Sequence, residues 1–356
     1  MMVSAFLHFG CICHLIAQPV TAGRETPVPR GYVCVYTRFP IAVDGKLNDE
    51  AWQTASWSAT FLDIEGTVKP EPRHRTRMKM LWDETSLYIG AELEEPHVWG
   101  TLTKRDTVIF HDNDFEVFID PDGDNHEYYE LEMNALNTVW DLLLKKPYRD
   151  GGPPVDSWNI KGLKTRVHIS GTLNDPSDRD EGWSVEISMP WSALTEYAHR
   201  AAPPKEGDQW RINFSRVQWD RDIVDGIYRK VQGKPEHNRV WSPQGVIDMH
   251  RPEFWGYVQF TRTSGRGVVV LPDSSAPARN QLLQVYYAQK KFHDGSKRWA
   301  ASPEELHLNN LPGSDRLTSP SMDSTRDGFV ASVTIRYGNG KTGRWHIRQD
   351  SRLWAE

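Results

Sequence analysis

Asp114 and Glu116 stand two residues apart in Asp114-Phe115-Glu116-Val117-Phe118-Ile119-Asp120. On an extended chain they share one face, ~6.6–6.8 Å apart along the strand. Glu130, Glu132 and Asn134 repeat the pattern in the next apolar-alternating run. If the two runs pair as a hairpin across the turn that starts at Asp120, five oxygen-bearing side chains gather on one side of a sheet. Like charges that close need relief, from Lys or Arg neighbours, a calcium ion or sugar hydroxyls. The plainer alternative is a solvated outer face of an antiparallel strand pair. The turn itself, Asp120-Pro121-Asp122-Gly123-Asp124, is oxygen-rich, but its glycine comes too early for the twelve-residue EF-hand loop. It reads either as an ordinary hairpin turn or as a structural calcium site with Asp120, Asp122 and Asp124 as ligands. Zinc is disfavoured, because His126 and Glu127 lack partners at ligand spacing.

Fifteen tryptophans are a heavy load, and twelve fall between Trp52 and Trp255. Sugar rings present flat C–H faces that stack on aromatics, while their hydroxyls need carboxylate, amide or guanidinium partners. Most of these indoles must be core, yet Phe110, Trp140 and Trp219 sit in or near loops and polar strand edges, beside the acidic runs.

Such side chains need a rigid frame, and the pattern supplies one. Leu87, Ile89, Ala91 and Leu93 alternate with Tyr88, Gly90, Glu92 and Glu94; Trp183, Val185, Ile187 and Met189 alternate with Ser184, Glu186 and Ser188. Together with the two acidic runs, this period of two at four places predicts an all-β antiparallel sandwich of the jelly-roll type over residues 33–260. Short helices are expected at Lys46–Ala55 and Pro190–Leu194. From Gly265 the texture changes: Pro277 to Ala301 reads as an amphipathic helix, followed by a hairpin turning at Gly338-Asn339-Gly340, a small α+β extension over 277–356.

The 356 residues carry 42 Lys/Arg against 48 Asp/Glu, a net charge of -6, with the basic excess confined to the extension. A polyanionic partner such as nucleic acid is therefore disfavoured. Val3 to Ala17 is apolar and is followed by small residues up to Ala22, which predicts a signal peptide over 1–22 and an exported, periplasmic or extracellular protein, although the start lacks Lys and Arg. No later window approaches the ~20 apolar residues of a membrane span. Cys11 and Cys13 lie in that leader, which leaves Cys34 without an internal disulfide partner.

Three ordered segments point to a family: Val43-Asp44-Gly45-Lys46-Leu47-Asn48-Asp49-Glu50-Ala51-Trp52, Leu81-Trp82-Asp83-Glu84-Thr85-Ser86-Leu87-Tyr88-Ile89, and Asn113-Asp114-Phe115-Glu116-Val117-Phe118-Ile119-Asp120. They resemble the successive signatures of family 9 carbohydrate-binding modules, a DOMON-like β-sandwich, over about residues 33–260. The resemblance implies a non-catalytic module that binds an oligosaccharide or polysaccharide and serves carbohydrate catabolism, with structural calcium. By motif position it places the sugar-binding carboxylate on Glu116 and the first stacking aromatic on Phe110. The second stacking position falls near Met249 and the family arginine near Glu132, so both are changed here. Asn134 and Arg216 are the expected substitutes as hydroxyl partners, with Trp140 and Trp219 as further contacts. Three other readings compete. One is an O-glycosyl hydrolase using Asp114 and Glu116. Another is a haem-binding DOMON domain with axial ligands among Met133, Met249 and His250. The third is an interaction role in which the basic extension docks a surface or protein partner.

Overall fold

The computed structural model describes residues 27–263, 267–308 and 315–356; the expected signal peptide, with Cys11 and Cys13, lies outside them. The main sheet is built from β1 (Gly31–Tyr36), β2 (Leu62–Asp63), β3 (Thr76–Trp82), β4 (Ser86–Glu94), β5 (Asp114–Asp120), β6 (Tyr128–Asn134), β7 (Val139–Leu144) and β8 (Pro154–Val155). It continues through β9 (Lys164–Ser170), β10 (Gly182–Pro190) and β11 (Gln209–Gln218). A separate hairpin, β12 (Arg221–Val224) and β13 (Ile227–Lys230), precedes β14 (His237–Val240) and β15 (Gly256–Thr261). The spatial order is β8-β7-β6-β5-β11-β15-β1-β3-β4-β10-β9, with β14 and β2 attached beyond β11.

This single sheet curls so that its two halves face one another. The inward residues of β3, β4 and β10 pack with those of β5, β6 and β11 in one core that includes Met78, Ile89, Val185, Val117, Leu131 and Phe214. The alternation that predicted the strands thus has its physical reason, because every second residue enters the same apolar layer. Pairing is mixed and not purely antiparallel: β1 runs parallel to both β15 and β3. The first strand closes the seam between the two halves, where its direction is fixed by its neighbours.

The expected helix at Lys46–Ala55 is only a 3-10 turn, Glu50–Gln53. Leu47 takes a positive φ of 56°, and the Asp49 carboxylate accepts from the Ala42 N–H instead of capping the turn. Gly256 opens β15 against the buried Trp241 ring; a Cβ there would lie 2.1 Å from the ring. Gly256→Ala is therefore expected to cost about 1–3 kcal/mol by overpacking, measured as a lowered thermal midpoint.

The extension is the 21-residue helix α2 (Ala276–Ser296; α1 is the single turn Trp191–Leu194) laid on a four-stranded sheet. That sheet is β16 (Ser321–Ser324), β17 (Phe329–Arg336), β18 (Thr342–Arg348) and β19 (Leu353–Ala355). Leu282, Val285, Tyr286, Ala331, Val333 and Ile347 form its own core. It joins the sandwich through polar contacts. The Asn125 amide donates to the Ser351 carbonyl at 2.9 Å, and the Leu353 N–H donates to the Asp124 carbonyl at 3.0 Å. Arg149, Asp150, Arg251 and Glu253 of the sandwich engage Tyr286, Tyr287 and Lys290 of α2. Among the described residues no helix is long and apolar enough to cross a membrane.

Candidate carbohydrate site

The outer face of β11-β5-β6-β7 is organised in rows set by strand register. Ser215, Glu116, Glu132 and Trp140 lie opposite one another across four strands. The next row is Asn213, Phe118, Glu130 and Leu142. The hairpin across the Asp120 turn forms as expected and places Asp114 opposite Asn134.

The face is not the solvated surface that the alternation suggests. One end is sealed by Trp255, which packs with Phe118, Tyr128, Leu142 and Leu144, with Met249 laid against them. At the other end the acids sink beneath their neighbours: Glu116 is 5% exposed, Glu132 2% and Asp114 0%. One carboxylate oxygen from each of these three lies within 4.8 Å of the others. Burial raises the pKa of Glu116 to about 7. Burial and the adjoining carboxylates also hold Asp114, Glu130 and Glu132 well above the ordinary range.

Aromatic side chains surround this acidic floor. The 3-10 turn Ile109–His111 sets Phe110 beside Glu132, whose carboxylate accepts from the Phe110 N–H at 2.9 Å. The Trp219 indole donates to the Phe110 carbonyl at 2.8 Å, and its backbone N–H to Asn113 Oδ1 at 2.8 Å. Lys230, from the β12–β13 hairpin, lies over the Trp219 ring at 3.7 Å. Phe110, Trp140 and Trp219 all remain partly exposed. Tyr148, 37% exposed, packs on His250 at the Trp255 end of the face, where Glu130 and Glu132 lie near enough to add to the burial that raises its pKa. Phe110, Glu116, Trp140 and Trp219 are thus brought to one end of one face.

Two further candidates are committed to other partners. Arg216 follows Ile212 and Phe214 in parity and so points between the layers, where it is 1% exposed and bonds Glu95 at 2.8 Å and Thr76 at 3.0 Å. Asn134 lies on the correct face, but its amide is spent on the Leu102 carbonyl and Asp112, and its oxygen on the N–H groups of Leu136 and Thr138. Both are structural here. Asp114 and Glu132 enter instead, both legible in the parity of β5 and β6; Tyr148, at the Trp255 end, lies in a 3-10 turn without periodic signal.

The competing chemistries fare differently. Asp114 and Glu116 rise from the same strand into one oxygen cluster, whereas a glycosidase needs carboxyls flanking a bond. Met133 lies in the interior core, while Met249 and His250 lie on the outer side of the same sheet, so they do not converge on one haem. His250 is a packing residue: burial, then the charge of Arg149, drives its pKa down to about 3, and its Nδ1 meets the Tyr128 hydroxyl at 3.0 Å.

Asp120, Asp122 and Asp124 also gather oxygens within 4.8 Å. This all-oxygen set fits a hard cation of the calcium type. Asp120 accepts from the N–H groups of Gly123 and Asn125, and Asp124 pairs with Arg352 of the extension at 3.1 Å.

A family model described as carbohydrate family 9 binding domain-like matches residues 43–225. Among solved structures, the chain is similar to a carbohydrate binding module family 9 from Caldicellulosiruptor kristjanssonii in complex with cellotriose. Identity is 14% and the TM-score 0.44, over 68% of this chain and 100% of that one. The same module in complex with glucose gives 15% and 0.44 over the same shares. A candidate carbohydrate-binding protein from Bacteroides uniformis gives 16% and 0.47, over 65% and 99%. A search of curated proteins finds no match.

Proposed function

The chain belongs to the carbohydrate family 9 binding domain-like proteins, and from that premise we propose that it binds an oligosaccharide or polysaccharide at the aromatic-edged acidic end of the β11-β5-β6-β7 face. The observation that carries this reading is the setting of Phe110, Trp219 and Trp140, partly exposed, around Glu116 and Glu132. Apolar plates beside oxygen acceptors meet both faces of a sugar's chemistry. The protein's part is to hold these groups rigid before the ligand arrives, which limits the ordering cost of association. Glu116 and Glu132 would take sugar hydroxyls, and Phe110 or Trp219 would stack a ring.

Isothermal titration of the full chain against cello-, xylo-, manno- and galacto-oligosaccharides tests the proposal. Heat with at least one class is expected, and no heat with any refutes it.

The reading extends to an exported protein that serves carbohydrate catabolism without itself cleaving the glycan, and to structural calcium in the Asp120–Asp124 turn. Added calcium is then expected to raise the thermal midpoint of chelator-stripped protein, and Asp122→Asn to reduce that rise, since only binding to the folded state stabilises it. An unchanged midpoint would remove the ion from the turn.

A further inference from the structure

Glu116 and Glu132 are direct cross-strand neighbours, and Asp114 is the next residue on the same face of β5. Like charges directly opposite on a sheet destabilise it, and removal from water enlarges the cost. Among the described residues none of these three acids, nor Glu130, forms an ion pair. The nearby ammonium of Lys230 is engaged over the Trp219 ring at 3.7 Å.

Orphaned oxygens sharpen the problem. Asp114 Oδ1 accepts from the Val217 N–H at 3.1 Å, while its Oδ2 is buried without a partner. Glu130 lies outside the triad, two residues from Glu132 on the same face of β6, and is also more than nine-tenths buried; its Oε2 has no partner either. Buried polar atoms normally find partners, so two vacant acceptors beside three clustered carboxylates mark a place for a positive ligand. The donors are all oxygen, with no nitrogen or sulfur among them, which selects a hard cation. Oxygen ligands at ~2.3–2.6 Å on opposite sides of a calcium ion lie at most about 5 Å apart, and the three oxygens fall within 4.8 Å of one another.

We propose that Asp114, Glu116 and Glu132 hold a calcium-class divalent cation on the floor of the carbohydrate patch, with its remaining coordination positions turned toward two neighbouring sugar hydroxyls. The first half stands on the carboxylate geometry alone; the second rests on the saccharide reading above. Calcium takes six to eight oxygens, so three carboxylates leave room for water or a diol.

The test uses the full-length chain, stripped with EDTA and exchanged into metal-free buffer, in an Asp122→Asn background that weakens the turn site. Calcium chloride titrated calorimetrically is expected to bind this variant. Adding Glu132→Gln should weaken that binding by roughly two orders of magnitude, because ligand charge count tunes calcium affinity. Glutamine keeps an oxygen for the Phe110 N–H, so the fold should survive, as checked by circular dichroism; Glu116→Gln provides a second variant. No calcium heat in the Asp122→Asn chain, or equal heat after Glu132→Gln and Glu116→Gln, overturns the site. Oligosaccharide affinity is expected to fall at least tenfold in EDTA relative to calcium. Equal affinity in both overturns the bridging role while leaving saccharide binding intact. Calcium heat that vanishes with Glu132→Gln, without sugar heat in either buffer, upholds the cation and instead defeats the saccharide reading.

Discussion

Glu253→Ala is expected to lower the unfolding free energy by about 3–5 kcal/mol. Its carboxylate is fully buried and meets the Arg149 guanidinium at 3.0 Å, with Arg251 at 3.4 Å and the Tyr287 hydroxyl on its other oxygen. Arg149 also donates to the His250 carbonyl at 2.9 Å and to the Tyr286 hydroxyl at 3.2 Å. Truncation would leave the buried Arg251 guanidinium without a counter-charge and Arg149 with only its longer 3.7 Å pair to Asp150. Burial pushes the Glu253 pKa up, but Arg149 and Arg251 outweigh it, so the folded value lies below the ordinary one. A depressed carboxylate contributes its stability above the unfolded pKa and loses it as pH falls through the folded pKa. Wild type should therefore lose this contribution in acid below the ordinary glutamate range, and the variant should show a flatter acid limb. Urea unfolding at neutral and acidic pH, followed by circular dichroism, measures both; a loss under about 1 kcal/mol would mean that the network does not hold the extension to the sandwich.

The second large effect concerns binding. Trp219→Ala should weaken saccharide affinity by about 2 kcal/mol or more, roughly thirtyfold in Kd. It removes a partly exposed ring and the 2.8 Å hydrogen bond that fixes the Phe110 turn, so one truncation disturbs two stacking surfaces. Trp219→Phe keeps a ring but not the bond and should fall between. Trp183→Phe, in the buried core of β10, is the control: it should lower stability while leaving Kd within about twofold. Equal affinity in wild type and Trp219→Ala would place the sugar elsewhere.

The strands were legible because their side-chain period is two and one layer is apolar; β4, β5, β6 and β10 fall where their alternation puts them. The acidic hairpin was legible for the same reason. Burial of its outer face was not, since the residues that cover it come from Phe110, Tyr148 and the segment 249–255, far apart in the chain. Arg216 shows a signal misjudged: its parity with Ile212 and Phe214 already turned it inward, opposite in sense to Ser215 beside Glu116. Asn134 shows the converse, a correct face whose amide is consumed by a turn and a loop that periodicity cannot see. The polar seam between the extension and the sandwich was likewise invisible, because each of its charges looks solvated until the distant partner arrives.

The central claim is that sugar is held at the acidic end of the β11-β5-β6-β7 face. Its most direct test is a crystal structure of the full chain with the tightest-binding oligosaccharide from the titration panel. A ring stacked on Phe110 or Trp219, with hydroxyls directed at Glu116 and Glu132, is the predicted result. Oligosaccharide bound on the opposite half of the sandwich or on the extension, with this acidic end bare, would contradict it.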